Sequence, residues 1–384
     1  MHFIAGNRIT LLESGTEYFP ALLAAIAAAR TEVHLESYIF ANDDTGRRVT
    51  HGLIDAVRRG VNVRVLVDGF GARNFAATLG AELDAAGADV MVYRPEVARL
   101  RIRRHRLRRL HRKVAVVDGE VAFVGGINVL NDTDDNQRLR PRFDFAVRIE
   151  GPLCIAIHAS TTHLWALVRW ARLRRRIRGT PQPPLIAQSR GDTHAALVIR
   201  DNLRHRRDIE DAYLDAIGNA RNEIIIAIAY FLPGRRFRHA LLEARARGVR
   251  VMVMLQGRAE YVLFHYATQA MCEVLLRGGV ELFEYQPGFM HAKVAVIDST
   301  WATVGSSNID PFSLLVAREA NIVVRDARFA AMLRKSLLDA IANDATEVRA
   351  DDWRRSSLPA RVFRWIAYGL VRALVGVAGY GGDE

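Results

Sequence analysis

The sequence predicts an α/β fold of two similar halves, each with a mixed, mainly parallel sheet flanked by helices. The chain has 384 residues, 50% of them hydrophobic and 25% charged, which is enough apolar material for two ordinary domains. A long internal repeat places helical and strand-like segments in the same order twice. A proline-rich stretch at 181–191 separates the two copies and reads as a linker.

The repeat supplies the elements of each half. Alternating or continuously apolar runs predict strands, and the alanine-rich segments before them predict helices. A helix between two strands of one sheet implies a right-handed crossover and parallel strands. The matching segments are 31–40 with 222–231, 59–68 with 247–256, and 111–128 with 291–308.

These matches divide the chain. We expect one half at 1–180, the linker at 181–191, a second half at 192–350 and a basic amphipathic tail at 351–384. Two similar halves pack most simply about a pseudo-two-fold axis. Residues carried by both copies are therefore expected to meet in a site between the halves.

Charge and composition narrow the class of protein. Lys and Arg total 54 against 42 Asp and Glu, a net charge of +12, which favours a polyanionic partner or an anionic membrane surface. Cys154 and Cys272 lie in apolar runs and are expected to be buried thiols. We find no secretory signal and no apolar run of spanning length.

The chemistry is concentrated in a motif that occurs twice. His111, Lys113 and Asp118 recur with the same spacing as His291, Lys293 and Asp298. On a strand, residues two apart share a face, so each copy presents an imidazole and an ammonium together. Only three of the 54 basic residues are lysines, and two of them stand in this motif, where a compact ammonium fits better than a planar guanidinium.

This paired motif resembles that of the phospholipase D superfamily, and the resemblance covers nearly the whole chain. It implies one active site between two α/β halves, with no metal and no cofactor. It also implies that one histidine attacks the phosphorus of a phosphodiester while the other acts as acid and base. By the same resemblance His111 is expected to be the nucleophile. The motif residues His111, Lys113, Asp118, His291, Lys293 and Asp298 form the catalytic group, in which we expect the two aspartates mainly to fix turns.

Further site residues follow from the resemblance. Lys113 and Lys293 are expected to bind the phosphate oxygens together with Asn128 and Asn308. A carboxylate about thirty residues downstream of each histidine orients the imidazole, and the matching positions are Asp144 and Glu319.

The substrate is decided by features outside the motif. Segments at 6–46, 229–241 and 304–324 resemble bacterial cardiolipin synthases, most closely the type B form. This implies transfer of a phosphatidyl group between two phosphatidylglycerol molecules, with release of glycerol. A phospholipase D-type hydrolase and a nucleic-acid phosphodiesterase of the same superfamily remain alternatives. We do not expect nucleic acid as a partner, because no aromatic residues interleave the arginines at 99–112.

Two basic segments fit a lipid surface. Residues 99–112 hold eight arginines and run into His111; Arg103, Arg104, Arg106 and Arg108 are expected to contact anionic headgroups such as those of phosphatidylglycerol and cardiolipin. In the tail, 358–380, arginines line one helical face beside an apolar face, as in interfacial helices, although packing on the body is also possible for such a helix. We expect a peripheral protein on the cytoplasmic face of the bacterial inner membrane. The oligomeric state and the ratio of transfer to hydrolysis stay open.

Overall fold

A computed structural model of the chain describes residues 1–95, 108–132, 140–171, 188–201, 204–258, 262–310, 317–349, 366, 367, 369 and 370. Three of the four arginines expected to contact headgroups, Arg103, Arg104 and Arg106, lie outside the described residues. So do most of the linker at 181–191 and nearly all of the tail at 351–384. The domain boundaries therefore stay a prediction.

The first half contains nine strands and four helices among its described residues. Its strands are β1 Ile4–Glu13, β2 Glu32–Ser37, β3 Asn62–Asp68, β4 Asp89–Tyr93, β5 Arg109–Leu110, β6 Lys113–Val117, β7 Val121–Gly125, β8 Arg140–Phe143 and β9 Phe145–Glu150. Its helices are α1 Ser14–Ala28, α2 Asp44–Arg58, α3 Leu79–Ala85 and α4 Leu153–Ala171.

The second half repeats this series. Its strands are β10 Thr193–Arg200, β11 Glu223–Ile228, β12 Arg250–Gln256, β13 Glu281–Tyr285, β14 Gly288–Met290, β15 Lys293–Ile297, β16 Trp301–Gly305, β17 Ala317–Arg325 and β18 Ala345–Glu347. Its helices are α5 Asp208–Asn219, α6 Arg235–Ala246, α7 Val262–Arg277 and α8 Ala327–Asp344. Helix α8 begins after Asp326, whose side chain accepts a hydrogen bond from the backbone N–H of Phe329 at 2.7 Å.

Read outward from the junction between the halves, the sheet places equivalent strands in the same order on both sides. The path is β18-β13-β12-β11-β15-β16-β17-β10-β1-β9-β7-β6-β2-β3-β4, and the halves join through the antiparallel pair β1 and β10. The predicted class, two similar α/β halves, is confirmed.

The sequence overestimated the parallel share of the sheet. Apart from two short pairs, parallel pairing is confined to β2-β3-β4 and β11-β12-β13. The strands that carry the motif, β6 and β15, run antiparallel to β2 and β11 and form hairpins with β7 and β16. Short turns at Asp118 and Asp298 replace the helical crossovers that parallel strands would need.

Three hydrophobic layers hold these elements together. Helices α1 to α3 cover the outer face of the first half, and α5 to α7 cover the outer face of the second. Between the halves lies a core to which both contribute, for example Val124 and Val304, together with residues of α4 and α8. This shared core fixes the two motif strands relative to each other, because close-packed interiors resist displacement.

The cysteines follow the sequence prediction, since Cys154 and Cys272 are both buried free thiols. In the part of the chain that the structure describes, no helix combines the length and apolar character needed to cross a membrane.

Candidate active site

His111 and His291 line one cavity of about 710 Å³ between the halves. Each stands two residues before a motif lysine that begins a buried strand, β6 or β15. The repeat therefore brings together two side chains that are 180 positions apart in the sequence. The prediction that equivalent residues meet between the halves holds for the histidines.

Each histidine is held by a carboxylate from the opposite half. His111 Nδ1 lies 2.9 Å from Glu319 Oε1, and His291 Nδ1 lies 2.6 Å from Asp144 Oδ2. The sequence identified both carboxylates, but it matched each to the histidine of its own half, and that pairing is wrong. With Nδ1 bonded to a carboxylate, each ring presents its Nε2 as the nitrogen available for chemistry.

Backbone pairing between the halves explains why each histidine meets the carboxylate of the other half. The short strand before His111, β5, pairs with β17 of the second half, and the His111 N–H donates to the carbonyl of Arg318 at 3.0 Å. Likewise, β14 before His291 pairs with β8 of the first half, and the His291 N–H donates to the Phe143 carbonyl at 2.9 Å. Each histidine is thus carried across to the other half, next to β17, which contains Glu319, or β8, which is followed by Asp144.

A difference between the two motif copies accommodates the different side-chain lengths of the aspartate and the glutamate. Gly126 leaves room for Asp144, because a side chain at that position would collide with the Asp144 carboxylate. At the equivalent position Ser306 Oγ donates to Glu319 Oε2 at 2.5 Å. The glycine therefore accommodates the aspartate, and the serine hydroxyl anchors the longer glutamate.

The motif lysines lie beneath the histidines and are buried. Lys113 Nζ donates to the carbonyl of His111 at 2.7 Å, and Lys293 Nζ donates to the carbonyl of His291. Lys293 Nζ also stands 4.0 Å from Asp144 Oδ2. Both ammonium groups thus brace the backbone that carries the histidines while placing positive charge next to the cavity.

The motif aspartates do not belong with the catalytic residues, so grouping them there was wrong. Asp118 and Asp298 follow the far ends of β6 and β15, away from the histidines. Asp118 accepts hydrogen bonds from the backbone N–H groups of Arg30, Thr31 and Glu32, which lead into β2. Asp298 does the same for the residues that lead into β11. Their role is the one expected for turn-forming residues, at positive φ of 52° and 51°.

Burial and the charges of the two motif lysines lower the pKa values of both histidines. Burial and the neighbouring ammonium of Lys293 lower the pKa of His291 to about 3, and burial together with Lys113 lowers the pKa of His111. Burial and Lys293 lower the pKa of Lys113 to about 7. For Asp144, burial acts to raise the pKa, but the charge of Lys293 and the hydrogen bonds from His291 and the Phe145 N–H outweigh it and lower the pKa. Both imidazoles are therefore neutral at pH 7 in the substrate-free protein.

The rest of the cavity wall supplies polar and aromatic groups. Asn128 and Asn308 both line it, as predicted for phosphate-binding residues; Asn128 Oδ1 accepts from the Ile39 N–H at 3.1 Å. The Tyr38 ring stands edge-on to His111, with ring centroids 4.9 Å apart. Sequence reasoning missed Tyr38, Phe70, Asp132, Arg142 and Tyr230, which also line the cavity. Their only sequence signal was that several of them follow the ends of predicted strands.

Behind His111 lies a buried layer of ionic side chains whose central pair is replaced by apolar residues in the described part of the second half. Arg112 makes a bidentate ion pair with Glu36, and its Nη1 donates to Ser160 Oγ at 2.8 Å. Their equivalents by strand register and motif alignment, Ala227 and Ala292, belong to the hydrophobic core. The backbone behind His111 is thus flanked by an ionic pair, and the backbone behind His291 by alanines at the equivalent positions.

The same layer contains the single group of three potential metal ligands found among the described residues, namely Glu32, His34 and His158. His158 Nε2 lies 2.5 Å from Glu32 Oε1, and His34 Nε2 lies 3.2 Å from Glu32 Oε2. The guanidinium of Arg64 stands 3.1 Å from His34 Nε2, where a bound cation would have to lie. We interpret the group as an extension of the ionic layer, because like charges repel at this distance.

Comparisons with known proteins agree with this geometry. Residues 22–155 and 213–340, more than half of the chain, match the family model described as "Cardiolipin synthase, PLD-like domain". The chain is 39% identical over 347 residues to cardiolipin synthase B of Escherichia coli strain K12, covering 89% of this chain and 82% of that protein. It is 37% identical over 362 residues to cardiolipin synthase B of Salmonella typhi, covering 93% and 85%.

Among solved structures, the chain is similar to the phosphatidylserine synthase of Haemophilus influenzae. The TM-score is 0.71, and the match covers 98% of this chain and 94% of that one. Sequence identity is 13%, so this likeness supports the fold and not the substrate.

Proposed function

The chain belongs to the cardiolipin synthases of the phospholipase D superfamily, and from this membership we propose how its cavity carries out the reaction. The enzyme is a phosphatidyl transferase: it moves a phosphatidyl group from one phosphatidylglycerol to another, giving cardiolipin and glycerol. The reaction passes through a phosphohistidine intermediate, as is general for the family.

His111 is the proposed nucleophile. Its Nε2 lone pair attacks the phosphorus of the donor lipid, forming an N–P bond as the P–O bond to glycerol breaks. His291 donates its Nε2 proton to the departing glycerol oxygen. In the second half-reaction neutral His291 takes the proton of the acceptor hydroxyl, whose oxygen attacks phosphorus and releases His111. The carboxylates Glu319 and Asp144 orient the two rings and stabilise whichever imidazolium forms.

The charge of the bound substrate determines whether His291 carries a proton. In the substrate-free site His291 is neutral, because burial and Lys293 lower its pKa to about 3. A phosphodiester brings a negative charge into the same cavity, and a nearby opposite charge favours the protonated form of an imidazole. Binding of the donor lipid thus raises the pKa of His291 and makes it a proton donor when a leaving group is present.

The remaining polar groups act on the phosphate. Lys113, Lys293, Asn128 and Asn308 are the proposed partners of its non-bridging oxygens, whose charge grows in the transition state. Each asparagine would donate to the phosphate from its amide Nδ2, because Oδ1 can only accept; Asn128 Oδ1 already accepts from the Ile39 N–H at 3.1 Å. The lysines' own bonds to the histidine carbonyls keep their ammonium groups in place before substrate arrives.

The enzyme associates with membranes, where its phospholipid substrates reside. Attachment as a peripheral protein on the cytoplasmic face is the finer proposal, supported by the net charge of +12 and the arginines at 99–112. Nucleic acid is not proposed as a substrate.

One observation carries this proposal: two histidines from opposite halves share one cavity, each with a carboxylate on Nδ1. The test uses the His291→Ala variant and a phosphatidyl p-nitrophenyl ester, whose leaving group departs without an acid. We expect one equivalent of nitrophenolate in a burst and a stable phosphatidyl adduct that peptide mass spectrometry maps to His111. The matched His111→Ala variant should give no burst. An adduct on His291 in that variant would reverse the assignment, and no adduct in either would contradict the phosphohistidine route.

A further inference from the structure

Helix α4 runs across the first half and ends at its active-site edge. Near its start, Cys154 Sγ donates to the carbonyl of Glu120, in the turn at the far end of β6 from His111. Midway, Ser160 accepts from Arg112, the residue after His111. Its final turns pack Leu164, Trp165 and Val168 into one small core with Leu66, Met91, Tyr93 and Leu110. The end of α4 therefore packs on the carboxyl ends of β3 and β4, where the Gly69 N–H donates to the Tyr93 carbonyl at 2.8 Å and Phe70, a cavity-lining residue, follows.

This edge exposes large apolar side chains. Trp170, in the last turn of α4, is 80% exposed, and Leu167, three residues earlier on the same helix face, is 39% exposed. Phe70 lines the cavity and is 40% exposed. Burying such residues in an apolar medium is favourable, because it removes apolar surface from water. Exposed apolar side chains grouped at one edge mark an interaction surface.

Cationic side chains accompany them. The guanidinium of Arg73 lies 4.2 Å from the Phe70 ring centroid, and that of Arg109 lies 5.2 Å from it. Arg109 also faces the buried carboxylate of Asp68 at 4.0 Å with its side chain only 18% exposed, so Arg73 is the exposed cation of the two. An aromatic ring with arginines on its faces presents both an apolar surface and positive charge at one place. That combination suits the boundary between acyl chains and anionic headgroups, where tryptophan is also favoured.

We propose that this edge, formed by Phe70, Leu167 and Trp170 with Arg73, is the surface that docks on a bilayer containing anionic phospholipid. The inference rests on the proposed function and adds how the enzyme is oriented on the bilayer. With the cavity mouth at the level of the headgroups, a lipid phosphate can reach His111 while its acyl chains stay in the bilayer. The positive charge of the edge complements an anionic bilayer better than it would a second copy of this chain, which carries the same +12.

The first test is sedimentation of the full chain with vesicles of equal parts phosphatidylglycerol and phosphatidylcholine. The Leu167→Gln/Trp170→Gln variant should bind about tenfold more weakly, because two apolar anchors are lost. The Arg73→Gln variant should bind about fivefold more weakly, the equivalent of about 1 kcal/mol, and the loss should vanish on pure phosphatidylcholine. The control is Met332→Gln on α8, an apolar side chain 51% exposed, which should bind as the parent does.

A second readout locates the surface directly. Vesicles of brominated lipid should quench tryptophan fluorescence of a Trp353→Phe/Trp365→Phe background, which lacks the tail tryptophans, and adding Trp170→Phe should remove most of that quenching. Unchanged sedimentation of the Leu167/Trp170 variant, or an equal loss in the Met332 variant, would overturn the proposal. A change of that variant from dimer to monomer in solution would overturn it in favour of a second copy.

Failure of docking is distinguishable from failure of the proposed function. A short-chain phosphatidylglycerol dispersed as monomers reaches the cavity without a bilayer. On that substrate the Leu167→Gln/Trp170→Gln variant should keep the parent's kcat. If the parent itself forms no cardiolipin there, the proposed function fails whatever the sedimentation shows.

Discussion

The buried ion pair behind His111 offers a quantitative test of the difference between the halves. Glu36 and Arg112 side chains are 4% and 6% exposed and make a bidentate pair. Removing one partner of a buried pair typically costs about 3–5 kcal/mol, because the other charge is left buried without compensation. Arg112→Met should therefore lower the free energy of unfolding by about that amount, and Glu36→Leu by a similar amount.

The double variant is expected to lose far less free energy of unfolding than the two single variants added together. It removes both charges and leaves apolar side chains of similar volume, a replacement that is often neutral. The second half already packs this way, with Ala227 and Ala292 in its core at the equivalent positions. We expect Glu36→Leu/Arg112→Met to lie within about 2 kcal/mol of the parent, so the coupling energy is several kcal/mol.

Urea unfolding at pH 7, followed by circular dichroism, measures these values. The matched control is the ion pair of Arg334 with Glu223 in the second half, where the side chains are 38% and 14% exposed. Because solvent screens that pair, Arg334→Met should cost no more than about 1 kcal/mol. A double variant as unstable as the two single variants added together would refute the reasoning, as would an Arg112→Met loss no larger than that of Arg334→Met.

Three further predictions concern the site. Lys113→Arg and Lys293→Arg should reduce kcat almost as much as alanine does, because a guanidinium does not fit the buried positions; near-normal kcat would show that charge alone suffices. With the p-nitrophenyl donor, Glu319→Gln should slow the burst by about 10²–10⁴-fold, as loss of an oriented catalytic imidazole does, while Asp144→Asn should keep the burst and lose turnover; the reverse pattern would contradict the crossed pairing. Stability should fall as pH drops below about 6.5, the pKa of an unfolded histidine, because folded His291 resists protonation down to about pH 3. Urea midpoints at several pH values measure this, and His291→Asn should flatten the dependence; an unchanged slope in that variant would assign the effect elsewhere.

The repeat made most of the fold predictable. Apolar runs at fixed spacing identify β2, β3, β6 and their copies, because buried strands must be apolar whatever surrounds them. The parallel share was overestimated, since periodicity does not distinguish a strand reached by a hairpin from one reached by a crossover. The linker and tail stay predictions, as do the arginines at 103, 104 and 106.

The site was predictable in its residue types more than in its contacts. His111 and His291 carry a sequence signal because their motif repeats, whereas Asp144 and Glu319 were identified through the resemblance to the superfamily. The exchange of carboxylates between halves has none, since it depends on β5 and β14, strands of two and three residues that pair across the interface. The ionic layer of Glu36 and Arg112 likewise depends on which face of β2 meets α4, and that is decided by packing.

The central claim is that the two-histidine cavity transfers a phosphatidyl group to a lipid alcohol. The most direct measurement is product analysis after purified protein is incubated with vesicles of labelled phosphatidylglycerol. The acceptor lipid is held at the site while water is not, so transfer should outrun hydrolysis. The account predicts cardiolipin and glycerol as the main products, phosphatidic acid as a minor one, and none of them with His111→Ala. Phosphatidic acid as the main product would replace the transferase with a phospholipase, and cardiolipin formed by the His111→Ala variant would contradict the mechanism.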